Sequence, residues 1–308
     1  MKLRLPNYRP HVFITVSRFI LLTFLGLLST SADAHPGAGI AVDRSGQIYF
    51  LDTGSGLWKI DTRGKLTHLS KTLFHWLALD ENNLFANTQL PTGALGEIVR
   101  VGTNPTLLLS SDYPIAIGSD GNLYYPSGAA GHLQMMRMTP SGATSVLVTL
   151  PPMVNGKPLP HIGGIIAGNG GVLYYTEDTA IRRIDEKGQV STVVAVRPPS
   201  KAPSIPGMDH RPNLRELVVD EQGIIYVADT GDARLLKVTP DGKVNTLFET
   251  QSPWSPTAVA VFGADVYVLE YLHTARDVRR DWLPRIRKIA SKGRSKLVVT
   301  LAQMPGAR

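Results

Sequence analysis

Two adjacent ionisable residues, Arg215 and Glu216, stand at the head of an apolar run, "LVV" (217–219), that reads as a β-strand. A carboxyl group in such a place is costly unless it is paired, wet or used. Glu216 could be a ligand or a base, or it could be the ion-pair partner of Arg215. His75, His161 and His210 each precede similar runs, while His132 and His273 lie in loops. Histidines brought together could bind a transition metal, yet these share no tight spacing motif. Tyr113 and Trp254 would supply flat walls for a ligand, or cap an opening. Acids at Asp52, Glu177, Asp229 and Glu270 recur at one place in a repeated phrase. They would accept backbone N–H bonds at a turn or, gathered round an axis, hold a hard cation. Arg276, Arg279, Arg280, Arg285 and Arg287 form the one dense cluster of positive charge. Guanidinium forks suit carboxylate or phosphate, but Asp277 and Asp281 interleave here, and a solvated loop with local pairs accounts for the run.

The phrase that must position these residues is "GIIYVADTGDARLLKVTPDGKV" (223–244). "GQIYFLDTGSGLWKIDTRGKL" (46–66) and "GVLYYTEDTAIRRIDEKGQV" (171–190) nearly repeat it. Each phrase extends on both sides into four short β-branched and aromatic runs separated by polar turns with glycine, the pattern of an antiparallel meander. Matching units begin near residues 35, 73, 112, 161, 212 and 254, giving blades at about 35–72, 73–111, 112–150, 161–196, 212–250 and 254–303. The second is degenerate. It offers "LFANTQ" for its second strand and Asn104-Pro105 where the others place a turn glycine. One basic residue stands at the same place in every unit: Lys59, Arg100, Arg137, Arg183, Lys237 and Lys288. A residue type present in every unit serves the unit, with its stem packed and its charge solvated.

A four-stranded unit recurring every 40–50 residues means a β-propeller, because one such sheet cannot bury both of its faces alone. The expected fold is all-β, a six-bladed β-propeller of four-stranded antiparallel blades over residues 35–308. The phrase resembles the NHL repeat, and the chain-wide pattern is similar to the six-bladed superfamily that includes gluconolactonase and regucalcin. That resemblance implies a divalent cation held by Glu, Asn and Asp at the starts of inner strands, polarising a lactone carbonyl. The corresponding places here read "PGAG" (36–39), "FHW" (74–76), "DYP" (112–114), "IGG" (162–164), "LRE" (214–216) and "SPT" (255–257). Glu216 is the one acid close to register. A streptogramin-inactivating lyase has similar repeat wording ("VTPDG" at 238–242 here) but resembles seven-bladed propellers, and this chain has no seventh unit.

Three insertions break the repeat: 151–163, 197–213 and 271–284. The first two link successive blades and the third joins second to third strand, connections that emerge on one face of an antiparallel blade. That decorated rim is where binding groups on a rigid scaffold concentrate. Expected ligand contacts are therefore Glu216, Arg215, His75, Tyr113, His161, His210, Trp254, Glu177, Asp229 and Glu270. No cofactor is predicted; if calcium or zinc is bound, Glu216 is its first ligand.

Residues 1–34 read as a secretory signal peptide. Lys2, Arg4, Arg9 and Arg18 lead, "FILLTFLGLL" (19–28) follows, and Ala32 and Ala34 supply a small-residue cleavage site. The apolar run is shorter than a spanning helix needs, so no membrane span is expected after cleavage. Without the leader, Lys plus Arg fall from 32 to 28 and acids from 25 to 24, which lowers the net charge from +7 to +4 and removes the main support for nucleic-acid binding. The chain has no cysteine, so burial rather than disulfides must hold an exported, periplasmic or secreted protein together. Expected is a monomer that binds a small molecule, a glycan or an envelope protein at the rim; the alternative is a metal-dependent, gluconolactonase-like hydrolase at the channel mouth.

Overall fold

A computed structural model describes residues 36–71, 73–92, 97–102, 107–129, 132–150, 161–196, 214–272, 283–290 and 293–301. Residues 35–308 form one compact unit, within which the described residues make six antiparallel sheets. Blade one contains β1 (Ile40–Val42), β2 (Ile48–Asp52), β3 (Gly56–Ile60) and β4 (Leu66–Ser70). Blade two has β5 (Trp76–Asp80), β6 (Ile98–Gly102) and β7 (Leu107–Ser111). Blade three runs through β8 (Ala116–Ile117), β9 (Leu123–Ala129), β10 (His132–Met138) and β11 (Thr144–Thr149). Blade four is β12 (Ile162–Ala167), β13 (Leu173–Glu177), β14 (Ala180–Ile184) and β15 (Val190–Ala195). Blade five comprises β16 (Leu214–Val219), β17 (Ile225–Asp229), β18 (Arg234–Val238) and β19 (Val244–Glu249). Blade six holds β20 (Trp254–Phe262), β21 (Asp265–Leu272), β22 (Pro284–Ile289) and β23 (Ser295–Thr300). The first strands touch in the cyclic order β1, β5, β8, β12, β16, β20 and back to β1, which closes a six-bladed β-propeller.

Five blades are meanders and one is not. Among the described residues blade two has three strands in the order β5-β7-β6, so Leu107–Ser111 occupies the second position, and "LFANTQ" is a chain of turns. The local chemistry explains the departure. The Asp80 carboxylate accepts the N–H groups of Leu84 and Phe85, Asn83 has φ 53°, and the Phe85 side chain is fully buried. Arg100 donates to the carbonyl oxygens of Phe85 and Thr88, satisfying acceptors that a strand partner would have taken.

Strands such as "IYFLD" are buried along their whole length because each sheet is covered on both faces by its neighbours. Met135, Ile165 and Tyr175 pack together between blades three and four, while Ile181, Leu217 and Val227 fill the next space. The recurrent basic residue has a concrete partner. Cross-strand register sets Tyr49 opposite Lys59, Tyr124 opposite Arg137, Tyr174 opposite Arg183, Tyr226 opposite Lys237 and Tyr267 opposite Lys288. Such aromatic–cation pairs across strands each add a fraction of a kcal/mol, about 0.2–1. Blade two lacks the tyrosine, and there Arg100 bonds backbone instead.

Among the described residues the ring closes without a shared strand. The Thr257 hydroxyl donates to the carbonyl of Gly37 at 2.8 Å, and the Tyr271 hydroxyl to that of Leu51 at 2.7 Å, joining blade six to blade one. No helix among the described residues is long and apolar enough to cross a membrane.

Candidate functional site

The starts of the inner strands border the rim-side mouth of the channel, and in blades four to six they are not regular. Each first hairpin slips register there: between Ile162 and Ile165, between Leu214 and Leu217, and between Pro256 and Ala258. These are β-bulges, which bend a strand and re-aim the side chains they carry. Blade four fills its bulge with Gly163 and Gly164, because a Cβ on Gly163 would lie 2.2 Å from the carbonyl oxygen of Leu214 and one on Gly164 would lie 2.7 Å from the Cα of Glu216. Two glycines thus let blade five approach closely, and blade five uses the corresponding places for Arg215 and Glu216. The Thr176 hydroxyl of blade four donates to the Arg215 carbonyl at 3.0 Å, as Thr230 of blade five does to Pro256 of blade six at 2.7 Å.

Arg215 is 2% exposed, and its Nε and Nη1 have no hydrogen-bond partner. Burial alone pulls its pKa down to about 10. Glu216 keeps part of its surface accessible, yet protein crowds its carboxyl, and burial pushes its pKa well above the usual range against the opposing N–H of Leu217. Neither residue appears among the causes of the other's shift, and no ion pair joins them. The sequence left open an Arg215–Glu216 ion pair. The structure overturns it: the guanidinium keeps Nε and Nη1 without a partner although the carboxyl is its chain neighbour.

The other predicted contacts divide into groups. His75 Nδ1 and Asp112 Oδ1 lie 2.8 Å apart, a pair that joins the heads of blades two and three. Trp76, which follows His75, donates its indole N–H to the Gly163 carbonyl at 3.1 Å and so reaches from blade two to blade four. Tyr113 precedes β8 and bonds the Ser111 hydroxyl through its N–H. His161 immediately precedes β12, and the buried Nδ1 of His132 has no partner. His210, His273, Arg276, Arg279 and Arg280 lie outside the described residues, as do most residues of the three insertions. Their points of attachment share the rim end by the strand order.

The recurrent acids are mainly ion-pair partners, where turn-capping or a cation ring was expected. Glu177 meets Arg182 Nε at 2.5 Å, and Asp229 meets Arg234 Nε at 2.8 Å. Fully buried Glu270 takes Arg285 Nε at 2.5 Å, Arg287 Nε at 3.1 Å and the Thr250 hydroxyl at 2.9 Å. Asp52 accepts the Ser55 hydroxyl. In blade two the Thr88 hydroxyl donates to the Pro140 carbonyl of blade three. Capping falls to other aspartates, Asp43, Asp61, Asp185 and Asp220, each accepting N–H groups two and four residues on in an Asp-x-x-Gly turn. Arg285 and Arg287 are likewise not a solvated run. Arg285 stacks 3.9 Å from the Trp254 ring centre beside a cleft of about 350 Å³.

Among the described residues no group of three or more His, Asp or Glu could hold a metal ion. Glu216 has no second and third acid or histidine gathered with it among the described residues, so these residues do not fit the divalent ion that the resemblance implies.

No family model and no curated protein sequence matches the chain. Solved structures do. Regucalcin from Agrobacterium tumefaciens, described as a calcium-binding protein, is 15% identical with a TM-score of 0.52 over 76% of this chain and 83% of its own. A luciferin-regenerating enzyme is 13% identical with a TM-score of 0.52 over 82% and 91%. Virginiamycin B lyase from Staphylococcus aureus is 15% identical with a TM-score of 0.49 over 85% and 83%. The protein therefore has the six-bladed β-propeller fold shared by regucalcin-like proteins. At these identities the likeness is one of fold, a scaffold that hosts unrelated chemistries.

Proposed function

We propose that the rim-side channel mouth binds a small molecule carrying a carboxylate, with Arg215 as its anchor and Glu216 beside it. The observation that carries this reading is the Arg215 guanidinium, buried with two nitrogens unpartnered. An uncompensated buried cation costs several kcal/mol, roughly, and a bound anion recovers that cost. A guanidinium fork also matches a carboxylate in two parallel bonds. Burial raises the pKa of Glu216 and so favours its protonated form, and a protonated carboxyl can donate a hydrogen bond to the same ligand without repelling it. Glycan and envelope-protein ligands belong to the same rim reading only where they present an acid group. Export with cleavage after Ala34, supported by the leader's composition, and a monomeric state complete the proposal.

The test is a calorimetric and thermal-shift screen of hydroxy acids against their neutral amides. The acids should raise the melting temperature and the amides should not, and Arg215→Gln should abolish the difference. Equal shifts from acid and amide would reject the anchor.

A second reading, lactone hydrolysis, draws on Glu216: a carboxyl whose pKa burial raises can give its proton to the ring oxygen as water adds to the carbonyl carbon and the ring C–O bond breaks. It requires lactone turnover that Glu216→Gln abolishes, and silence across a lactone panel returns the site to binding.

A further inference from the structure

The opposite mouth of the channel, where the inner strands end, forms an open depression of about 820 Å³. Four blades contribute to it. Val42, Leu79, Val219 and Val261 form an apolar wall, and Phe262 stands at the tip of blade six, where β20 turns tightly into β21. The Phe262 ring is 38% exposed and lies beside the turn of blade one, with its Cε1 3.2 Å from where a Cβ on Gly46 would sit. An exposed ring fixed against a turn is already ordered, so a ligand meeting it gives up little to arrange it.

The cavity's edge is mainly acidic. Asp43, Glu81, Asp220 and Glu221 line it against a single base, Arg44, which pairs with Glu81 at 2.6 Å. Asp43 and Asp220 are held by turn N–H groups and by the hydroxyls of Tyr49 and Tyr226, so their positions are set before any ligand arrives. Glu221 is exposed and extends the charge outward. The surplus of acid opposes the chain's net charge of +7.

We infer that this mouth is a second ligand site, distinct from the rim, for a monocation with an apolar body, an aryl- or alkylammonium ion. The valine and leucine wall takes the body, the Phe262 face takes the ammonium or its adjoining methylenes, and the carboxylate edge draws the cation in. The volume lies within the range of small-molecule pockets, roughly 300–1,000 Å³. The inference does not rest on the Arg215 reading, and either can fail without the other.

Isothermal titration of the whole protein with 2-phenylethylammonium, 2-phenylethanol and phenylacetate tests it. The cation should bind about tenfold more tightly than the alcohol, and the acid should not bind at this mouth. Phe262→Ala and Glu221→Gln, both at exposed positions, should each weaken the cation about three- to fivefold while Arg215→Gln leaves it unchanged. Equal binding of cation and alcohol, or full affinity in both exposed-site variants, overturns the inference. Melting temperatures near the parent's confirm that each variant is folded.

Discussion

The indole N–H of Trp76 reaches 3.1 Å to the carbonyl of Gly163, tying the head of blade two to the head of blade four past the short inner strand of blade three. Trp76 is 3% exposed, so its bond is made where water cannot replace it. Trp76→Phe should lower stability by about 1–2 kcal/mol, the cost of one buried bond lost with its acceptor left behind. Trp76→Ala should cost about 3–5 kcal/mol through the added void. Urea midpoints of the two variants separate the polar contribution from the packing one, and equal losses would contradict the bond's role.

Arg215 should show opposite effects on stability and binding. Replacing an unpaired buried guanidinium with Met removes a desolvation cost and keeps most of the volume, so Arg215→Met should gain roughly 1–4 kcal/mol. The same variant should lose the stabilisation by hydroxy acids. A less stable Arg215→Met protein would mean that the guanidinium is structural.

Glu270 holds two arginines, while Glu177 holds one at the surface. Glu270→Gln leaves Arg285 and Arg287 without their shared anion at a fully buried position and should cost about 3–5 kcal/mol. The half-exposed Glu177–Arg182 pair should be worth about 1 kcal/mol or less on Glu177→Gln. Added salt should weaken the second difference and hardly change the first.

Asp229 and Asp232 share Arg234, with bonds of 2.8 and 3.0 Å. Burial, more than the neighbouring Asp232, pushes the Asp229 carboxyl up to about 6 despite Arg234. A carboxyl whose folded pKa exceeds its unfolded value favours the folded state most below the unfolded pKa. That stability is lost as pH rises through the folded one, so the window here runs from about 4 to about 6. Asp232→Asn should lower the Asp229 pKa and flatten this stretch of the stability curve, as followed by carboxyl NMR titration and chemical denaturation.

Much of the scaffold was legible because the repeat states it six times. "IYFLD", "LYYTE" and "IYVAD" announce second strands through their aromatic and β-branched residues, and the glycines at 46, 64, 223 and 242 mark turns that do adopt positive φ. Blade two escaped the reading since its place in the chain is polar and rich in Asn. The strand that fills the second position comes from residues written later, and only tertiary pairing selects it. At the site, Arg215 and Glu216 were visible as ionisable residues at the head of an apolar run. The lack of an ion pair between them was not, because it depends on the bulge between Leu214 and Leu217, whose register the chain does not spell out. Trp76 was missed since its partner lies two first strands further along the chain. The ion-pairing of Glu177 and Asp229 did have a signal: an arginine five residues on, at 182 and 234.

Each sheet is a contiguous stretch of chain, and the seam between blades six and one rests on contacts such as Thr257–Gly37 and Tyr271–Leu51. A protein made this way can finish its blades in the order they are synthesised and has only one late event, the docking of the last blade on the first. Mechanical pulling or mild denaturant should therefore part the circle at that join before any sheet frays.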